Sequence, residues 1–246
     1  MIQSTDCLFF RRSSSPLVEH AARSALTTIS NSNLGGRQTL RTVVITYLRI
    51  PTESLIEYSI KAILDWIGPD LAQLNDFTTL FSLILHSDRR IQTAALISLK
   101  QMLSNSDYQE SLEKANVMFM IRTLTDSDNP EAIDFVMVAL QVLALSLARN
   151  GHSSTIIALL MHNQPKVREG AAAALEVIAN GSTHDRKRLL EENIIERLIM
   201  ISQEEHLEPT QLHLLSCVVP KLAIDYLNTG KMDLILKLVE YVIPFT

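Results

Sequence analysis

The stretch VREGAAAALEVIANG, from Val167 to Gly181, combines four consecutive alanines with larger aliphatic residues at helical spacing. Offsets of 3, 4, 7, 8 and 11 from Val167 give only small or aliphatic residues: Gly170, Ala171, Ala174, Leu175 and Ile178. Residues spaced in this way lie on one side of an α-helix. Because small side chains there let a neighbouring helix pass close by, the pattern predicts a long helix packed tightly against others.

The same pattern occurs four more times, in segments that start at Val18, Ile56, Ile91 and Ala132. Successive starts are separated by 38, 35, 41 and 35 residues, so the period is about 37. A period of this length indicates a solenoid of stacked helical units. A single alanine-rich segment could be an ordinary amphipathic helix, but five segments in register favour a repeat.

A second marker follows the same rhythm between these segments. Asn75, Asn116 and Asn193 each precede a short apolar stretch, and Gly36 and Ser154 occupy similar places. Glycine and asparagine best tolerate the left-handed backbone conformation of a sharp helix-to-helix corner. We therefore predict that each unit contains two short helices joined at a corner, followed by a longer third helix.

Two stretches, VREGAAAALEVIANGSTHDRKRLLEENIIERLIMIS and IQTAALISLKQMLSNSDYQESLEKANVMFMIRTLTDS, resemble the armadillo repeat. The resemblance implies an all-α, right-handed solenoid of about five to six armadillo-like repeats over residues 15–205, after an irregular N-terminal segment, 1–14. We interpret residues 206–246, in which Pro220 interrupts an apolar run, as an irregular capping repeat of the same continuous domain. Neither end has an obvious polar cap, which leaves open that the chain is part of a longer solenoid.

The resemblance also implies that the third helices line a concave groove. Import adaptors of this family carry tryptophan at offset 6 and asparagine at offset 10, where they hold an extended basic peptide. At offset 6 this sequence has Ser24, Ala62, Ile97, Val138 and Ala173. At offset 10 it has Thr28, Trp66, Gln101, Val142 and Val177. The paired code is missing, so a nuclear-import-type adaptor is the less favoured interpretation.

Aliphatic residues replace that code. A helix predicted over Ile133–Ala148 is apolar on nearly all sides, so either its neighbours cover it or part of it receives a partner helix or a second subunit. Trp66 could anchor a ligand, although a single tryptophan more often fills a layer between helices. The predicted partner-binding row comprises Trp66, Ile97, Gln101, Val138, Val142, Ala173 and Val177.

These features predict a non-enzymatic protein-interaction scaffold or adaptor that presents a partly apolar groove to an extended peptide or partner helix. The alternative is an assembly subunit that self-associates, for example as a homodimer, through its apolar helix faces. The net charge is −5, and residues 1–49 carry +4, so the rest of the chain carries −9. Nucleic acid is not expected as a partner because binding to phosphates needs clustered positive charge.

We predict no catalytic residues, no cofactor and no metal site. Among the seven histidines, His206 and His213 lie in the stretch richest in potential ligands, but Pro209 stands between them. A helical metal site needs two ligands one turn apart, so we interpret this stretch as an exposed polar loop. The sequences around Gly36 and Ser153 lack the features of a phosphate loop and of a nucleophile elbow, respectively.

The two cysteines, Cys7 and Cys217, are too far apart in sequence to indicate a disulfide framework, so we predict an intracellular, cytoplasmic protein. A nuclear location stays open. The arginine- and serine-rich start resembles a mitochondrial presequence, but Val18–Ile29 already fits the repeat pattern. No apolar run reaches the roughly 18 residues that a membrane span requires.

Overall fold

The computed structural model describes residues 24–25, 28–29, 34–47, 53–74, 76–203, 209–227 and 236. These residues form helices and connecting turns, with no β-strand among them. The predicted segment 1–14 and most of the segment anchored at Val18 lie outside the described residues. Backbone contacts divide the chain into two units between Ser98 and Leu99.

The first unit begins, within the described residues, with α1 (Leu34–Tyr47), followed by α2 (Glu53–Ala62). A π-helical turn, Ile63–Ile67, joins α2 to α3 (Gly68–Gln73) without a break, because the residues on both sides keep right-handed helical angles. The helix α4 (Phe77–Ile84) follows, and α5 (Arg89–Leu103) continues past the boundary into the second unit.

The second unit contains three successive helix triplets. The first is α6 (Ser106–Lys114), α7 (Val117–Leu124) and α8 (Pro130–Val142). The second is α9 (Ala144–Arg149), α10 (Ser153–Leu159) and α11 (Pro165–Ala179). The third is α12 (Thr183–Glu191), α13 (Ile194–Ser202) and α14 (Pro209–Leu227). Each of these triplets therefore consists of two short helices and a longer third one, as the sequence predicted for a repeat.

Burial confirms the register of the repeat. At the start of each pattern and at its five offsets, the side chains of the segments from Ile91, Ala132 and Val167 are all buried. In the segment that starts at Ile56, Ile60 and Leu64 are half-buried and the other four positions are buried. The repeated small and aliphatic residues thus form the interior.

Gly170 is a point of close approach between α8 and α11. A Cβ atom added at Gly170 would lie 2.9 Å from the Cα of Met137 and 3.4 Å from its Cβ. The nearest obstacle is backbone, which cannot move aside as the end of a flexible side chain can. The neighbouring Ala171 and Ala174 are fully buried, so these two alanines of the opening stretch belong to the interior.

The left-handed corners are confirmed at two asparagines. Asn116 has φ 63° and Asn193 has φ 56°, each immediately before the second helix of its triplet. The corner predicted at Ser154 is wrong: this residue lies inside α10, and the turn before it is made by Gly151, with φ 83°. The corner predicted at Gly36 is also wrong, because α1 runs through it. Asn75 lies outside the described residues.

A shared hydrogen bond shapes the loop before each of three third helices. The side chain five residues before the pattern start accepts a backbone N–H from the residue two positions later. The acceptor is His86 in the first loop, Ser127 in the second and His162 in the third, at 2.9, 3.2 and 3.1 Å. The loop geometry therefore repeats although the acceptor residue changes.

Two helix boundaries differ from the sequence interpretation. The apolar stretch Ile133–Ala148 is two helices, because α8 ends at Val142 and α9 begins at Ala144. Its continuous apolar character reflects two separately buried faces rather than one helix buried all round. At the other place, α14 continues through Pro220, which is exposed. The backbone carbonyl that Pro220 leaves without its helical partner can therefore bond to water.

A buried carboxylate links the second and third triplets. Asp185, whose side chain is 1% exposed, accepts hydrogen bonds from Nε and Nη2 of Arg149 at 3.0 and 3.1 Å. It also accepts bonds from the backbone N–H and the hydroxyl of Ser182, completing a capping box at the start of α12. The Arg149 bonds, helped by those from Ser182, hold the pKa of Asp185 well below its usual 3.8 although burial opposes this.

We predict that Gly170→Ala lowers the free energy of unfolding by about 1–3 kcal/mol, because the added methyl group meets the Met137 backbone. In an open helix the same change would raise stability by about 0.5–1 kcal/mol. Urea unfolding followed by circular dichroism measures the difference, with Glu169→Ala, at the exposed neighbouring residue, as the control. A stabilised Gly170→Ala protein would contradict the close packing of α8 and α11.

We predict that Asp185→Asn lowers the free energy of unfolding by about 1.5–3 kcal/mol near neutral pH, because charge-assisted hydrogen bonds are lost. The carboxylate has a lower pKa folded than unfolded, so its stabilisation is complete above about pH 5 and is lost as the pH falls through 3.8 and below. The difference in the free energy of unfolding between wild type and variant should therefore become smaller in acid. Unfolding measured across this range tests the prediction, with Glu192→Gln, at the exposed end of the same helix, as the control. A gap independent of pH would refute it.

Candidate protein-interaction surface

One side of α8 and of α11 lies open to solvent. On α8 this face carries Glu131, Asp134, Val138, Gln141 and Val142, which are half-buried or exposed. On α11 the equivalent residues, at the same spacing, are Lys166, Glu169, Ala173, Glu176 and Val177. Each face is charged at its N-terminal end, aliphatic in the middle and mixed at its C-terminal end. We call Val138, Val142, Ala173 and Val177 the apolar strip.

The residues of the predicted row differ in accessibility. Gln101 is exposed, Ile97 is half-buried, and Val142, with 39% of its surface exposed, is the most open residue of the apolar strip. The other three members of the strip are half-buried. Trp66 is only 8% exposed and lies in the π-helical turn of the first unit. A partner could reach Trp66 only after repacking, so we leave it out of the candidate surface.

Polar contacts join successive third helices beside the apolar strip. The Nζ of Lys166 lies 2.7 Å from an Asp134 carboxylate oxygen, and this pairing raises the pKa of Lys166. The Nζ of Lys100 lies 3.3 Å from a Glu131 carboxylate oxygen. Exposed pairs such as these add little stability, typically about 0–1 kcal/mol. Their effect here is to link the N-terminal parts of α8 and α11 to the third helix before each of them.

The open face carries a small excess of negative charge. Both lysines in these pairs, Lys100 and Lys166, are neutralised by acidic partners. Glu169 and Glu176 add negative charge on α11. The face therefore offers aliphatic contacts bordered by carboxylates.

Ile97 lines a separate shallow depression of about 400 Å³ within the first unit. The side chains of Ile60, Leu64 and Ala94 provide apolar walls, and Arg90 contributes polar atoms. Arg90 is paired with Asp88 at 2.9 Å. The half-buried state of Ile60 and Leu64 is explained by their place in this depression.

Three potential metal ligands meet where α11 and α14 pack together. The ligand atoms of Glu176, His213 and Cys217 all lie within 4.8 Å of one another. The prediction of an exposed loop at His213 is wrong, because this residue lies in α14. His206, the other histidine of that stretch, lies outside the described residues. The informative signal was the spacing of four residues between His213 and Cys217, which is one helical turn.

No protein-family model and no curated protein matches this chain. Among solved structures, a designed armadillo repeat protein in complex with the peptide (KR)4 is 17% identical, with a TM-score of 0.56 over 90% of this chain and 100% of that one. Computationally designed armadillo repeat proteins for modular peptide recognition give 17% identity and a TM-score of 0.55 over 88% and 98% of the two chains. Such low identity is evidence about the fold alone.

Within the described residues, no helix has both the length and the apolar character needed to cross a bilayer. The helix triplets, the asparagine corners and the similarity to designed armadillo proteins agree on one architecture. The chain folds as an all-α solenoid of the armadillo type.

Proposed function

We propose that this chain is a non-enzymatic scaffold or adaptor that binds an extended peptide along the open face of α8 and α11. The observation that supports this most is the apolar strip itself, in which aliphatic side chains remain accessible on two adjacent third helices. Close packing at Gly170 sets these two helices side by side. Repeat proteins use surfaces of this kind to bind extended partners.

The strip supplies the binding energy in this proposal. Covering an aliphatic side chain such as Val142 fully is worth about 1.5–3 kcal/mol, and partial cover is worth proportionately less. Several partly exposed valines can therefore hold an apolar side chain of a peptide. Lys100 and Lys166 are paired with Glu131 and Asp134, so both lysines already have acidic partners.

The charges beside the strip favour a peptide with basic residues next to its apolar anchor. Glu169 and Glu176 stand on the open face of α11, where a lysine or arginine of the peptide could pair with them. The designed armadillo protein with the peptide (KR)4 supports the idea that this fold accommodates an extended basic peptide. Because the tryptophan and asparagine pair of import adaptors is missing here, recognition would depend on the aliphatic anchor instead.

We predict that a randomised peptide library selected against the full chain yields peptides with a branched aliphatic residue flanked by lysine or arginine. The double variant Val138→Asp, Val142→Asp should bind the selected peptide at least tenfold more weakly, a loss of about 1.4 kcal/mol or more. The reason is that a charge in the strip must be desolvated when the peptide covers it. Fluorescence anisotropy with the selected peptide measures the affinity.

The control is Phe119→Asp, which places one such charge at a residue of α7 that is 59% exposed and lies off the open face. Its affinity should equal that of the wild type. Glu169→Gln should weaken only peptides that carry basic residues. Wild-type affinity in a folded Val138→Asp, Val142→Asp variant would remove this surface from the proposal.

Self-association through the same strip is the competing use of this surface. Val142 is exposed enough to meet a second copy as readily as a peptide. Sedimentation velocity over a range of concentrations distinguishes the two, because a dimer held by the strip dissociates in Val142→Asp. A monomer at all concentrations supports peptide binding.

A further inference from the structure

We propose that Glu176, His213 and Cys217 form a binding site for a divalent transition-metal ion of the zinc type. His213 and Cys217 belong to α14, and Glu176 belongs to α11. The site joins the second and third triplets of the second unit. It shares Glu176 with the open face of α11, so a bound ion would occupy that carboxylate and leave Glu169 to pair with a basic residue of a peptide.

Two of the three distances between the ligand atoms fit a tetrahedral ion, and the third, between Glu176 and Cys217, is no more than 4.8 Å. Nε2 of His213 lies 3.6 Å from Sγ of Cys217 and 3.5 Å from a carboxylate oxygen of Glu176. Zinc bonds of about 2.3 Å to sulfur and about 2.0–2.2 Å to nitrogen or oxygen, at tetrahedral angles, separate such atoms by about 3.3–3.6 Å. Sγ of Cys217 lies almost as near to Nδ1 of His213, at 3.8 Å, so the imidazole ring must turn before Nε2 points at an ion that the sulfur also binds.

The fold holds these ligands together before any ion arrives. Residues 213 and 217 are one turn apart on α14, so both side chains project from the same side of the helix. One turn further along, Lys221 of α14 donates a hydrogen bond to the side-chain oxygen of Asn180, the residue directly after α11. This second contact fixes the register of α14 against α11, which places Glu176 opposite His213.

The residue types match a borderline metal. Thiolate and imidazole favour zinc over magnesium or calcium, which take oxygen ligands. With Cys217 as a thiolate and Glu176 as a carboxylate, the two negative charges balance those of a divalent ion. Binding releases the thiol proton, so affinity should rise with pH.

The ligands are also accessible. The side chain of His213 is 66% exposed and that of Glu176 is 34% exposed, so an ion can enter from solvent and the imidazole ring can rotate towards it. Three protein ligands leave the fourth tetrahedral position open for water or for a donor atom of a bound molecule. The site thus resembles an open rather than a closed zinc site.

Titration with Co²⁺, a spectroscopic substitute for Zn²⁺, tests the proposal. In a Cys7→Ser background Cys217 is the only thiol, so a thiolate-to-cobalt charge-transfer band reports this site alone. We expect one equivalent to bind, excess Zn²⁺ to displace it, and Zn²⁺ to raise the unfolding temperature. Adding Cys217→Ser should abolish the band. Adding His213→Asn or Glu176→Gln should weaken binding at least about tenfold. Replacing even a residue that only hydrogen-bonds to a metal ligand typically costs about 10–100-fold in affinity, and these two residues are ligands themselves.

The control is His184→Asn, which removes an exposed histidine of α12 that lies outside the cluster. It should bind Co²⁺ like the parent protein, and circular dichroism should show all variants to be folded. No charge-transfer band in the folded parent would overturn the proposal. Binding that persists unchanged in the Glu176 and His213 variants would overturn it too, since it would place the ion elsewhere. All of these measurements are made without peptide, so a negative result for metal binding leaves the peptide-binding proposal untouched.

Discussion

The contact between α8 and α11 at Gly170 is the constraint on which the second unit depends. A single methyl group at this position would come within 2.9 Å of the backbone of Met137. Because the two helices approach so closely, residues at equivalent positions on them become neighbours. The apolar strip and the pair between Lys166 and Asp134 both follow from that alignment. A side chain as small as alanine is therefore enough to disturb a surface that it does not touch.

The register of the repeat could be predicted from sequence because burial obeys helical periodicity. The small and aliphatic residues of the opening stretch are interior residues, and the asparagines at 116 and 193 have the left-handed backbone expected of them. The glycine at 36 misled the prediction because glycine permits a corner without requiring one, and α1 continues through it. The actual corner before α10 lies at Gly151, three residues before the predicted position.

Other features depend on geometry that residue types do not reveal. In the loops before the third helices, histidine in two cases and serine in one accepts the same backbone hydrogen bond. These loops therefore have no common residue type at that position that the sequence could reveal. Trp66 lies in a π-helical turn, in which the wider winding changes the direction of the side chains relative to a regular α-helix. Offsets counted from Ile56 therefore place Trp66 in the predicted partner-binding row, whereas the structure buries it.

The two candidate sites differ in the same way: one depends on residues of a single helix, and the other depends on residues that are distant in sequence. The positions of the apolar strip follow from the register within one helix, so sequence could propose them. The cluster of Glu176, His213 and Cys217 requires two helices to meet, and only the spacing of the last two residues was visible beforehand. Sequence indicated a binding surface and gave no indication of the carboxylate that completes the cluster.

Side-by-side stacking of the third helices is the central claim, and zero-length carbodiimide cross-linking with mass spectrometry tests it most directly. The reagent joins an amine to a carboxylate only where the two groups touch. The account predicts isopeptide bonds between Lys166 and Asp134 and between Lys100 and Glu131, whose atoms lie 2.7 and 3.3 Å apart. Lys114 and Glu110, one turn apart on α6 and 2.7 Å from each other, provide the internal control. A protein that forms the control bond but neither bond between third helices would contradict the account.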